Sequence, residues 1–306
     1  MQLSTLAKRA ASLALSVLLV FAASRALIRT LPGDPVETLL GETGTALHRE
    51  ALLREFHLQD PFLPAVAQEL NQALHGDWGV SLISRQAIAP QLRSRLVSTA
   101  TLAALAVGLG LALSLLLGIP AGSPQLTGGH RLADQLCTVH GAISAALPMP
   151  WLGPILLYAF AFRIGWFPVS GGLWLPALAL AVGFSGLWCR LVRERVRETL
   201  SAGAATAARA RGLPEWKISL KYGLMPASGF LLAYLGTQLG LLFSGAFITE
   251  VIFDRAGVGS WVVDAVLKRD YPVVEAVVFW SAVFALLGSA FGDALQAWVD
   301  PREDIR

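Results

Sequence analysis

Charged residues fall along the chain in clumps, and the gaps between the clumps are apolar. No Asp, Glu, Lys or Arg occurs in residues 96–129, 136–162, 164–189, 222–249 or 276–292. Four of these runs exceed the roughly 20 residues that a helix needs to cross ~30 Å of hydrocarbon, and the fifth approaches that length. Residues 10–31 add a sixth run if Arg25 and Arg29 snorkel to the outer headgroups. The pattern predicts an all-α membrane protein with six transmembrane helices. Lys8, Arg9, an apolar core and the small residues Ala22, Ala23 and Ser24 also describe a secretory signal peptide. The apolar run continues to Leu31 instead of ending at the small residues, so a membrane span is the expectation.

Composition agrees: 55% of the 306 residues are hydrophobic and 15% charged, and the mean hydropathy of +0.58 lies far above that of a soluble domain. Orientation follows from Lys and Arg. Residues 190–221 carry eight of them, Arg190, Arg193, Arg195, Arg197, Arg209, Arg211, Lys217 and Lys221, which places this loop in the cytoplasm. Counting spans from there puts both termini inside. Residues 32–95, with eight acidic and five basic side chains, and residues 250–275, with five and three, then lie outside. The expected organisation is a first transmembrane helix over 1–31, a helical cap over 32–95, and a five-helix core over 96–306 with its cytoplasmic loop at 190–222. The cap contains an amphipathic run at 47–58, with Phe62 and Trp78 as core or contact residues. The net charge of +3 is concentrated in the cytoplasmic loop and calls for no nucleic-acid partner. Cys137 and Cys189 both belong to apolar runs, which argues against a disulfide.

The cytoplasmic loop has a shape. Residues 193–211 have high helix propensity, with Glu194 and Glu198 early and Arg209 and Arg211 late, as the helix dipole favours. Gly212 stands where a left-handed cap belongs, and Pro214 follows as the first residue of a second helix over 214–222. Two helices meeting at an angle form an elbow, and Ala204, Ala205, Ala207 and Ala208 would leave it a low-relief surface. A basic loop holding anionic lipid headgroups is the simpler alternative.

Several elements occur in the order and spacing of one family. They are Leu31-Pro32-Gly33-Asp34-Pro35, Gly76-Asp77-Trp78-Gly79-Val80-Ser81 and Pro148-Met149-Pro150-Trp151-Leu152-Gly153. The loop core Ala207-Ala208-Arg209-Ala210-Arg211-Gly212-Leu213-Pro214-Glu215 follows. The last elements are Glu250-Val251-Ile252-Phe253, Ala256-Gly257-Val258-Gly259, Arg269-Asp270-Tyr271-Pro272-Val273 and Asp300-Pro301-Arg302. With them the chain resembles ABC-importer permeases of the dipeptide/oligopeptide/nickel type, and within that type the first permease subunit of the pair. It departs from the family pattern at Ala204-Ala205-Thr206, at Met225-Pro226 and Phe230, and in the ending after Arg302. Pro226 is expected to relocate a kink at the base of the fifth span.

The resemblance implies a type I permease bundle with no catalytic or metal site and no cofactor of its own, ATP being bound by partner subunits. Those partners would be a homologous second permease, two cytoplasmic ATPases and a periplasmic substrate-binding protein, around a multi-pass chain in the bacterial inner membrane with its lipid. Cargo would be di- or oligopeptides, or nickel and metal–metallophore complexes. Ala208, Arg209, Gly212, Leu213, Pro214 and Glu215 would form the ATPase-coupling loop, with Arg209, Gly212, Leu213 and Glu215 seated in a groove on the ATPase. Glu250, Asp254 and Asp270 would contribute to a periplasmic gate, with ion pairs such as Glu250–Arg255 or Asp270–Lys268.

The residues exclude other chemistry directly. There is no Gly-Lys dipeptide, hence no phosphate-binding P-loop. Gly183-Phe184-Ser185-Gly186 resembles the serine motif of rhomboid intramembrane proteases, but His48, His57, His75, His130 and His140 all precede Ser185. Close packing of small residues is the expected meaning. Cys137 and His140 share a helical face, yet two ligands do not make a metal site. Gly236 and Gly240 read as a helix-packing pair. A stand-alone secondary transporter or channel is the competing class; it would place charged residues or broken helices near the midplane, and five of the six expected spans are charge-free and uninterrupted. A non-transporting membrane scaffold would account for the elbow but not for the acidic outer segments.

Overall fold

The computed structural model describes residues 3–30, 62–123, 125–126 and 131–299. Residues 31–35, 47–58 and 300–302, which carry three of the expected elements, lie outside the described residues. The chain forms two compact units, Met1–Ser98 with Gly257–Leu286, and Thr99–Ala256 with Leu287–Arg306. Among the described residues the only non-helical pairing is an isolated antiparallel bridge between Val80 and Ala87.

The first unit contains α1 (Leu3–Thr30), α2 (Phe62–Leu74), the start of α3 (Ile88–Gly122), α10 (Val258–Lys268) and the first half of α11 (Tyr271–Val299). Its core is aromatic. Phe21 and Phe279 meet edge to face at 5.4 Å, and Trp78 lies 5.2 Å from Phe279 and 5.9 Å from Trp280, so Trp78 is a core residue. Arg25 does not snorkel as expected. It is 8% exposed and pairs with Glu69 of α2 and, at 3.0 Å, with Glu275 of α11. A guanidinium has five donors in a planar fork, so a position enclosed by two carboxylates competes with the headgroup region.

The second unit contains the remainder of α3, then α4 (Leu132–Ala146), α5 (Met149–Leu156), α6 (Trp174–Leu200), α7 (Gly203–Ala210), α8 (Glu215–Ile218) and α9 (Met225–Ile252). Glycine lets α3 approach α6 closely: a Cβ at Gly118 would sit 2.8 Å from the Cys189 carbonyl oxygen, and one at Gly122 2.6 Å from that of Arg193. A small-xxx-small pair therefore operates on α3; the side-chain packing around Gly236 and Gly240 lies outside what the structure describes. Further along α6, Gly186 meets Gly141 and Ser144 of α4, and Ser144 Oγ donates to the Val182 carbonyl at 2.7 Å.

The apolar run 136–162 is not one uninterrupted span. α4 ends at Ala146, the chain bends by 107°, and α5 then runs on into a π-helical stretch, Leu157–Arg163. The cause is local. A residue before proline is driven out of the α region, and Leu147 takes ψ 99° while Pro148 is extended at φ −60°, ψ 148°. The Pro148 carbonyl then starts α5 by accepting from the amides of Trp151 and Leu152. Among the described residues three helices are long and apolar enough to cross a membrane, α3, α6 and the Tyr271–Gly292 part of α11, or up to four if the bent pair counts as one span.

One further expectation changes. The basic helix over 193–211 is divided: α6 stops at Leu200, Ala202 is extended at φ −69°, ψ 152°, and α7 starts at Gly203. The redirection buries Ala205 and Ala208 in a cluster with Val192, Val196, Leu200 and Ile218. Pro226 lies in the first turn of α9, directly after a π-helical stretch, Ser219–Leu224.

Candidate functional site

The elbow is assembled from α7, a tight turn and α8. Its turn is a Schellman motif: the Gly212 amide donates to the Arg209 carbonyl at 2.8 Å and the Leu213 amide to the Ala208 carbonyl at 3.3 Å. Gly212 is left-handed at φ +76°, a conformation that costs an L-residue roughly 1–2 kcal/mol. Leu213 packs against the cluster around Val192 and Val196, the apolar contact that usually accompanies this motif. Pro214 is extended at φ −69°, ψ 143° and caps α8 from outside the helix, one position earlier than expected; its carbonyl accepts from the Lys217 and Ile218 amides.

The six loop residues divide by direction. Ala208 is 1% exposed and points into the core, so its side chain supports the elbow and cannot touch a partner. Arg209 and Glu215 pair with each other, Nε to Oε1 at 2.9 Å and Nη2 to Oε2 at 3.4 Å. Their charges brace the turn from α7 to α8. Ala204, Thr206, Ala207, Ala210, Arg211 and Gly212 form the outward face. Sequence reasoning missed Trp216, which is 54% exposed beside this turn. An exposed Trp next to a glycine-capped elbow was the available signal.

The three acids expected at a gate differ in burial and in partners. Glu250, in the second unit, is fully buried and accepts from Thr99 Oγ. Asp254 is exposed, with a left-handed backbone at φ +47°. Asp270, in the first unit, is 5% exposed; it accepts from the Ser81 hydroxyl and, at 2.9 Å, from the Leu82 amide. Two elements nearly 190 residues apart in sequence are joined by this one carboxylate. Lys268 pairs with Asp264, not with Asp270, at 2.8 Å. Arg255 donates to the Gly171 and Gly172 carbonyls, and its amide to the Glu250 carbonyl.

Chain order does not keep histidine away from Ser185. His140 Nε2 of α4 lies 2.8 Å from Ser185 Oγ of α6. What removes the protease reading is burial. Ser185 is completely enclosed, which leaves no approach for a substrate carbonyl, and the pair is an interhelical hydrogen bond. Cys137 packs with Cys189 and Ala121, and among the described residues no group of three or more His, Cys, Asp or Glu could hold a metal.

Residues 110–305 match the model of the family described as binding-protein-dependent transport system inner membrane component. The chain belongs to this family. It is therefore an inner-membrane, multi-pass permease component of an ABC importer, with no ATPase domain of its own. ATP is handled by separate ATPase subunits, and the system includes a substrate-binding protein. Over 279 residues, 90% of each chain, this family member is 28% identical to the glutathione transport system permease protein GsiC of Escherichia coli (strain K12). The protein of the same name from Shigella dysenteriae serotype 1 (strain Sd197) has the same identity and coverage. In fold the chain resembles the crystal structure of an amino acid ABC transporter with histidines, at TM-score 0.51 and 20% identity over 69% of this chain and 93% of that one.

Proposed function

We propose that this chain is the first permease subunit of an importer for small peptides of about the size of glutathione. It pairs with a homologous second permease, and each permease rests on one of two ATPases through its elbow. The observation that carries the reading is the elbow: a glycine-capped turn braced by Arg209 and Glu215, with an outward face of small residues around Gly212. A rigid lever of this kind transmits ATPase closure to α6 and α9, between which it is built, and rocks the bundle between inward- and outward-open states.

Six spans are supported by the lengths of α1 and α9, 28 residues each, or roughly 42 Å at 1.5 Å per residue. With α3, the bent pair, α6 and α11 they keep both termini in the cytoplasm. Peptide cargo is favoured over nickel by the glutathione named in its relatives. In this reading Glu250 and Asp270 act as internal staples, and exposed Asp254 is the outer acid available to a gate or binding protein.

The test is uptake of labelled glutathione, a labelled dipeptide and nickel by cells with and without this chain. ATP-dependent peptide uptake that disappears with the chain is expected. Unchanged peptide uptake together with lost nickel uptake would overturn the cargo assignment.

A further inference from the structure

The far side of the elbow carries a second surface. After Glu215, which Arg209 occupies, the chain has no carboxylate until Glu250. Lys217 and Lys221 are exposed in this stretch, one helical turn apart. Among the described residues the ion pairs of the cytoplasmic loop are made by Arg193, Arg195, Arg197 and Arg209, and neither lysine takes part. Each ammonium lies against a ring, Lys217 at 5.3 Å from the centre of Trp216 and Lys221 at 5.9 Å from that of Tyr222. Interleaved with the lysines, Trp216 and Leu220 are 54% and 45% exposed, and Met225 at the start of α9 is 68% exposed.

Exposed indole and aliphatic groups alternate here with ammonium groups, within roughly 13 Å of the start of an apolar helix. That is the chemistry of the membrane–water boundary: rings and methyl groups reach the acyl region while Lys tips stay with the phosphates. Two cations in no ion pair with a carboxylate select a headgroup that carries net negative charge over a zwitterionic one.

We propose that Trp216, Lys217, Leu220 and Lys221 form a seat for the headgroup of an anionic phospholipid, which fixes the elbow's second arm against the bilayer surface. The proposal rests on the membrane placement of the family and is independent of whether the elbow's other face binds an ATPase.

The test uses the full chain reconstituted in phosphatidylcholine vesicles containing brominated phosphatidylglycerol or, in parallel, brominated phosphatidylcholine. The chain has nine Trp residues, so the Trp216 contribution is the difference between the unaltered protein and Trp216→Phe. Quenching of this component at markedly lower mole fractions of the anionic lipid is expected. Lys217→Gln with Lys221→Gln should remove the preference, by about fivefold per lysine, while Lys→Arg at both positions retains it. Equal quenching by the two lipids, or a preference that survives the double Gln variant, would overturn the seat. A Trp216 component that neither lipid quenches, and that changes only when ATPase subunits are added, would replace it with a protein contact.

Discussion

Replacing Gly212 by Val perturbs one backbone position and no neighbouring side chain. A Cβ built on Gly212 meets nothing within 4 Å, so the cost comes from φ +76° and not from a clash. For an L-residue that conformation costs roughly 1–2 kcal/mol, a factor of about 5–30 in a two-state equilibrium. A valine that escapes to negative φ breaks the Gly212–Arg209 and Leu213–Ala208 hydrogen bonds. It also pulls Leu213 off the cluster around Val192 and Val196. Asn tolerates the left-handed region far better than Val, so Gly212→Asn should preserve the turn, with Gly212→Ala intermediate. The assay is titration of the purified permease pair with its ATPase subunits. Val should weaken association about 5–30-fold and Asn should leave it nearly unchanged. Val binding as tightly as Gly would refute the reasoning, and so would Asn failing as badly as Val, because bulk and not backbone conformation would then be decisive.

Other substitutions test the remaining contacts. Breaking the Arg209–Glu215 brace with Glu215→Gln should remove about 1 kcal/mol and speed tryptic cleavage after exposed Arg211; exchanging the two side chains should restore protection. Asp270→Ala strands the Ser81 hydroxyl and the Leu82 amide at about 1–3 kcal/mol each, read as a lower unfolding temperature and faster hydrogen exchange at Leu82, while Asp270→Asn loses less. On α3, Gly122→Ala drives a methyl toward the Arg193 carbonyl at 2.6 Å and should destabilise by about 1–3 kcal/mol. Gly108→Ala on the same helix meets nothing within 4 Å and should be neutral or stabilising by up to about 1 kcal/mol.

What could be read in advance is what composition alone dictates. Charge-free runs mark membrane helices because an unpaired charge in hydrocarbon is expensive wherever it lies, and Gly212 before Pro214 marks a helix stop because the backbone rule is local. The misses concern partners distant in sequence. Nothing near Arg25 reveals that Glu69 and Glu275 will enclose it. The bend at Pro148 was legible from Leu147-Pro148 and was overridden by the length of the apolar run. Gly118 and Gly122 looked no different from Gly236 and Gly240; only the path of α6 singles them out. His140 and Ser185 illustrate the same gap, since order along the chain says little about which helices touch.

Gentle solubilisation of the tagged chain from its own membrane, with quantification of everything that copurifies, tests the importer most directly. One equivalent of a second permease and two of ATPase are predicted, with the ATPase lost when Gly212 is replaced by Val. A homogeneous single-subunit species that moves solute without ATP would contradict it.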